Sequence, residues 1–451
     1  MRPRALGFSL LILSAPAAAQ NPGHMDHSQM DHGQMNHDQM DHSRMPGMGH
    51  GAMNHDGMNH DGMSMDARDD TMPAMNHTML WRWSGTSWQP DAAPSPGIHT
   101  MLDGWMTMLL ARVWGVADSQ SGPRGDSKVF APGMLMAMAQ KDFGANDTLG
   151  LRTMFSLDPF MGRRGYPLLL ANGETADGVT HLVDRQHPHD LFMELAATWT
   201  HRLSDTDNLF LYGGYPGEPA LGPTAYMMRI SAMDSPATPI AHHWLDSTHI
   251  TFGVVTAGVV HDGWKLEVSQ FTGREPDQRR FDFEQARFDS TAARLSWNPD
   301  GNWSLQVSGG FLNSPEQLDP DHNETRFTAS ATYYNAFPIG SVAATLAYGR
   351  KHLSDGVDED AALFETEFKP TPLWTLFARA ETIASNELMP GHVVRQAGEV
   401  SLGLVRDFRV ADGFKVGVGG LYSVYFTPAS ITAPYGGGPR GTMGFVRLLT
   451  D

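Results

Sequence analysis

The residues of this chain best suited to chemistry lie just behind its N-terminus. There a unit of Met-Asp/Asn-His recurs between His24 and Met79. It appears at Met25-Asp26-His27, Met30-Asp31-His32, Met35-Asn36-His37 and Met40-Asp41-His42, and again at Met53-Asn54-His55, Met58-Asn59-His60 and Met75-Asn76-His77. The tract holds 13 of the 28 Met and 9 of the 21 His and has no Val, Ile, Phe or Tyr, so it is rich in ligands and has nothing with which to build a core. Thioethers are soft ligands suited to Cu(I), whereas imidazoles suit Cu(II), Zn(II) or Ni(II). The composition predicts a disordered tail that binds copper as Cu(I) and Cu(II) through these Met and His side chains, with silver and zinc as further candidates. The competing reading is a solvated low-complexity spacer.

A sparser set of ligands sits in the body of the chain. His181, His187 and His189 fall in one long connection, and His242 and His243 in another that also carries Met227, Met228 and Met233; His249 is expected just inside the following strand. Histidines near carboxylates and thioethers predict a second, ordered metal site. The alternative is that these imidazoles bond only to backbone. His187, Asp190 and Ser231 or Ser235 also supply the residue types of a hydrolase. No nucleophile elbow, His-Glu-x-x-His or phosphate-cradling glycine loop accompanies them, so a non-enzymatic role is expected.

The elements that must carry these residues follow from hydropathy. Residues 1–19 read as a secretory signal: Arg2 and Arg4, then an apolar run, then Ala17-Ala18-Ala19. Residues 20–80 form the tail and 81–98 a Pro/Ser/Trp-containing linker. The chain has no Cys, which removes disulfides and thiolate sites, and a net charge of −18, which disfavours nucleic acid as a partner. From 99 to 451 the pattern alternates with period two. Trp264, Leu266 and Val268 alternate with Lys265, Glu267 and Ser269; Trp303, Leu305 and Val307 alternate with Ser304, Gln306 and Ser308.

Such runs give about 16 strands, with 14 as the lower alternative, the first spanning 101–117. Short connections such as Asp205-Thr206 and Ala411-Asp412-Gly413 alternate with long ones at 158–189, 216–247, 272–289 and 385–395. Trp264, Trp297, Trp303, Trp374, Phe408 and Phe414 flank the short turns, as an interfacial aromatic girdle would. The expected fold is all-β: an antiparallel transmembrane β-barrel in the outer membrane, in contact with its lipid, with its tail on the periplasmic side. Its inward charges predict a solvated, salt-bridged lumen or a cation pathway.

The signal, the Met-Asp/Asn-His units from Met25 to His60 and the tail-plus-barrel layout together resemble the proteobacterial outer-membrane copper-resistance protein B group. The body is similar to a second group of bacterial outer-membrane proteins to which no activity is attached. The residues that carry this likeness are Asp184-Arg185-Gln186-His187-Pro188-His189-Asp190, Ser231-Ala232-Met233-Asp234, His242-His243-Trp244 and Gly273-Arg274-Glu275-Pro276-Asp277. The first resemblance implies copper sequestration, resistance or passage across the outer membrane, with metal ions and periplasmic copper carriers or oxidases as partners. The alternatives are a passive channel with an incidental tail and a barrel-embedded hydrolase.

Overall fold

The computed structural model describes residues 83–450; the expected signal sequence and the Met/His tract, with every tail ligand named above, lie outside the described residues. Twenty strands run in chain order. The first ten are β1 (Ile98–Leu102), β2 (Trp105–Gln120), β3 (Ser127–Phe130), β4 (Gly133–Phe143), β5 (Asp147–Ser156), β6 (Tyr166–Thr175), β7 (His181–Gln186), β8 (Phe192–Arg202), β9 (Asp207–Gly214) and β10 (Val254–His261). The rest are β11 (Trp264–Phe271), β12 (Ser290–Trp297), β13 (Trp303–Leu312), β14 (Glu324–Phe337), β15 (Gly340–Leu353), β16 (Asp358–Thr371), β17 (Trp374–Ser385), β18 (Arg395–Ala411), β19 (Phe414–Phe426) and β20 (Arg440–Thr450).

All main-sheet neighbours are antiparallel, and β2, β4, β5 and β8 to β20 close into a 16-strand barrel. The seam is at β2. Its first half pairs with β4 (Met106 opposite Gln140) and its second half with β20 (Gln120 opposite Gly441). The short strands β1 and β3 extend the rows beside β2, and β6 and β7 form a separate hairpin within the long connection between β5 and β8.

The period-two sequences form these strands because each face meets a different medium. In β11, Lys265 and Glu267 point inward and are 0% exposed, while Leu266 and Val268 point outward and are each 50% exposed. Apolar outside and charged inside is the pattern of a barrel with lipid around it. Around the short turns the outward aromatics pair: Trp264 stacks on Trp297 with centroids 4.8 Å apart, and Arg406 lies over the Trp374 ring at 5.1 Å.

Three boundaries differ from the alternation. The expected first strand is broken at Asp103-Gly104, where both residues have positive φ and turn β1 into β2. His249 is not inside a strand; it closes a 3-10 turn, Ser247–His249, before β10 begins at Val254. The expected loop at 158–189 contains the β6–β7 hairpin. In the first two cases a local turn preference interrupts a run whose hydropathy reads as continuous; in the third, strands form inside a stretch that reads as a loop.

The lumen is filled by the protein itself. Residues 83–90 run inside the wall: Arg152 Nη1 donates to the Trp83 carbonyl at 2.6 Å, and Asn298 Nδ2 donates to the Gln89 carbonyl at 3.0 Å. The connection 215–253 folds inward as a plug and is almost wholly buried. Arg229 of the plug reaches Glu365 on β16 (2.5 Å), and the Ala241 amide donates to Glu381 on β17 (3.0 Å). Asp234 sits among three wall cations, Arg112 (2.7 Å), Arg447 (2.6 Å) and Lys369 (2.7 Å). The salt-bridged lumen expected from the sequence is present, but much of its pairing is between wall and plug.

Without Asp234, Arg112 loses its carboxylate while Arg447 keeps Asp407 and Lys369 keeps Glu367, and a buried charge stripped of its partner costs about 3–5 kcal/mol. Asp234→Ala is therefore expected to release the plug from β2, β16 and β20 and to lower the temperature at which the barrel loses its compact form in heat-modifiable gel mobility. An unshifted transition would show that the cluster does not hold the plug.

Candidate metal centre

Four imidazoles converge at the long-loop end of the lumen. His187 and His189 follow β7, on either side of Pro188. His242 begins a single helical turn, α1 (His242–Leu245), and His249 ends the 3-10 turn that follows. All four are buried. Ring centroids lie 5.0 Å apart for His189 and His249, 5.1 Å for His242 and His249, 5.9 Å for His187 and His189, and 6.1 Å for His189 and His242. Nitrogens of His187, His189 and His242 all fall within 4.8 Å of one another.

Each ring is held by one nitrogen. Nδ1 of His242 bonds the Asp246 carboxylate at 2.7 Å, one helical turn on, and Nδ1 of His249 bonds the Asp246 carbonyl at 2.7 Å. Nδ1 of His189 bonds Asp158 at 2.8 Å, and Nε2 of His187 lies 3.1 Å from Glu174. The anchors are themselves anchored. Arg229 donates to Asp246 at 3.0 Å, and Arg280 joins Glu174 to Asp190. The opposite nitrogens of His189 and His249, both Nε2, are buried with no hydrogen-bond partner. Burial of a polar nitrogen without a partner is costly, and a carboxylate or carbonyl fixing the other ring nitrogen is how metal-binding imidazoles are oriented.

The electrostatics suit neutral ligands. Burial, reinforced by the neighbouring rings and Arg280, holds His187 well below its ordinary pKa; burial with His189 and His242 does the same for His249. His242 is also lowered, by burial that outweighs Asp246. Uncharged imidazoles are the form that coordinates a metal. Ligand nitrogens about 2.0–2.1 Å from a tetrahedral ion are about 3.3 Å apart, so modest ring movements would bring these donors into coordination range.

His243 belongs to a neighbouring cluster with Glu275 and Glu316. Its Nδ1 lies 3.6 Å from Glu275, and although burial opposes the charge, Glu275 raises His243 to about 9. Burial and the Glu275 charge push Glu316 up to about 8. With His243 charged beside Glu275, this cluster reads as an ion pair at neutral pH. His181 stands apart on β7, half-exposed, with Nδ1 3.9 Å from Glu387. Of the six body histidines expected as ligands, the structure thus brings together His187, His189, His242 and His249, sets His243 at their edge and leaves His181 elsewhere. The residues of the hydrolase alternative are not assembled: Ser231 bonds Thr345 and Glu365, Ser235 bonds Ala237, and Asp190 pairs with Arg280.

The carboxylates that orient the rings were not singled out from sequence. Asp246 was within reach, since it lies four residues after His242 on the same turn. Asp158 and Glu174 reach their histidines across loop folding that no local spacing encodes. The charged loop from Arg274 to Glu284 folds over the mouth, with Glu275 and Arg280 buried and Asp282 exposed.

No family model matches the chain, and no curated protein matches it. Among solved structures it is similar to Salmonella typhi OmpF in complex with daunomycin, at 10% identity and a TM-score of 0.50, over 78% of this chain and 100% of that one. It is also similar to the anion-selective porin of Comamonas acidovorans (11% identity, TM-score 0.45, 76% and 99% covered). The outer-membrane channel DcaP of Acinetobacter baumannii is a further similar structure (10%, 0.44, 78% and 99%). At such identities the likeness is one of fold, that of outer-membrane β-barrels.

Gly173, with φ +105°, lies under the His243 ring, and a Cβ there would fall 2.6 Å from Cε1. Gly173→Ala combines that overlap with a strained backbone, at a cost on the order of 1–3 kcal/mol. Faster tryptic cleavage at the exposed Arg163-Arg164 is expected, with the barrel's gel mobility unchanged; an unaltered cleavage rate would show that the hairpin does not depend on this contact.

Proposed function

We propose that this chain is an outer-membrane copper-handling protein. Its buried centre of His187, His189, His242 and His249 holds the ion, and its Met/His tract gathers copper on the periplasmic side, in sequestration or passage across the outer membrane. One observation carries this reading: imidazoles fixed at one nitrogen by Asp158, Asp246 or Glu174, with nitrogens of His187, His189 and His242 within 4.8 Å of one another and the Nε2 atoms of His189 and His249 buried and unpartnered on rings whose centroids lie 5.0 Å apart. Nitrogen donors in this number suit copper, with zinc next. Among the described residues there is no thiolate, and the carboxylates near the rings are already occupied in holding them. When bound, the ion would draw together four rings that come from two different loops, coupling the plug to the β6–β7 connection. Asp246 positions two of the four rings at once, through its side chain and its backbone.

The filled lumen supports holding over free diffusion. An ion could reach the centre only by exchange between ligands, which suits many weak donors in the tract better than an open pore. The porin-like alternative shares the fold but leaves the converging imidazoles without a role.

The full chain extracted from membranes is expected to bind Cu(II) with nitrogen superhyperfine structure in its electron paramagnetic resonance spectrum. A His189→Ala/His242→Ala variant should lose the part of that signal that persists when residues 24–79 are deleted, and Asp246→Asn should weaken that part about 10–100-fold in competition titrations. If the double variant keeps the same spectrum as the parent, the centre is not the copper site. Separately, cells whose protein lacks residues 24–79 are expected to tolerate less copper than wild type; equal tolerance would remove the tract from the function.

A further inference from the structure

The inner wall beside the centre departs from the rest of the lumen. Where β11, β12 and β16 turn Lys265, Glu267, Arg294 and Glu365 inward, β2, β4, β5 and β8 turn in Met108, Met134, Met136, Met138, Met154 and Met193. These side chains form one buried cluster with Met228 of the plug, in which seven of nine members are methionine and the others are Leu110 and Ile250. Methionine is an adaptable filler of apolar gaps, and that is the plain alternative. The chain's own usage argues against it. On the outer face of the described barrel, the large exposed apolar residues are Leu, Val, Phe, Trp, Ile and Tyr, with Met101 the single methionine. Thioethers are thus concentrated on one inward strip.

The strip has an order. Across the β2–β4 and β4–β5 pairs, Met108 faces Met138 and Met136 faces Met154. Half-buried Met106, opposite Gln140, extends the row toward the short turns, and Met134, opposite Arg112, extends it toward the long loops. At about 3.3 Å per residue the row covers roughly 20 Å along the strands. At its upper end β8 carries an extra residue. Met154 pairs with Glu194 and Phe155 with Phe192, so Met193 is bulged out of register and buried beside inward Glu194 instead of facing outward. Bulges of this kind re-aim side chains next to functional sites.

The row ends in a cavity of about 60 Å³ lined by Met134, Met193, Met227, Met233, Asp158 and His189. Its charged groups are paired: Arg112 with Asp234, and Asp158 with His189. His189 therefore belongs both to this cavity and to the four-histidine centre, and its Nε2 is buried and unpartnered.

We infer that the inward methionine strip is a thioether relay for a soft monovalent ion, Cu(I) or Ag(I), connecting the short-turn half of the lumen to the centre at His189. It rests on the copper reading only for the ion's destination. Neutral sulfur donors displace the hydration of such an ion without fixing it in place, and the ion keeps its oxidation state from step to step.

The test uses the full chain in detergent micelles with 13C-methyl methionine, resonances being assigned by single Met→Leu substitutions, which conserve packing volume while removing sulfur. On titration with Ag(I), the methyl signals of Met134, Met136, Met138 and Met154 are expected to shift, and with Zn(II) to stay. Tail methyls that respond to Ag(I) while these four remain still would overturn the relay and leave a packing role. A Met108→Leu/Met136→Leu/Met138→Leu/Met154→Leu variant should keep its gel mobility yet take up less Ag(I) than the parent; equal uptake also overturns it. The Cu(II) spectrum of the chain lacking residues 24–79 reports on the histidine centre independently, so either idea can fail while the other stands.

Discussion

A charge sealed away from water must be matched, and here the match is made between the barrel wall and the segments that fill it. Arg229 illustrates this. It donates to Glu365 on β16 and to Asp246 beneath the histidines, and Glu365 in turn faces Arg379 at 3.4 Å. One cation thus ties the plug to the wall and the wall to the centre. The attraction in such a pair offsets desolvation only when geometry and remaining hydrogen bonds are satisfied. The position of His242 accordingly depends on residues of β16 and β17 as well as on its own loop.

The same constraint distinguishes this barrel from the porins whose fold it shares. A scaffold hosts many functions, and the function lies in what is placed on it. Here the polar inner face that could line a water channel is instead consumed by internal contacts. The Gly222 amide donates to Ser308, and the Ala220 amide donates to Ser269. Backbone groups of an inward loop, which would otherwise be buried without partners, are satisfied by wall hydroxyls. The plug has little regular structure of its own because the wall supplies its hydrogen bonds.

This division also explains what could be read from the chain. Strand positions followed directly from alternation, because lipid on one side and protein on the other impose period two. The side of each residue was equally legible: Lys265 and Glu267 inward, Leu266 and Val268 outward. The inward course of 83–90 and 215–253 left no periodic signal, because a segment covered by polar and apolar wall has no single face to mark. His187, His189, His242 and His249 stood out by type, yet only folding brings the two loops together. Met193 was hidden for a different reason. A one-residue bulge reverses the parity on which the reading of inside and outside depends.

The seam at β2 has a consequence for how the molecule can be made. The Ala111 amide donates to Thr450 Oγ1 across 339 residues of chain, so the cylinder joins its first long strand to its last. Residues 83–90 and most of the plug are buried within that cylinder, and their bonds to Lys265, Arg294 and Glu365 cross its interior. Threading a folded plug through a finished ring would strip those ions of partners on the way. Laying the contents against the open sheet before the edges of β2 and β20 meet avoids that cost.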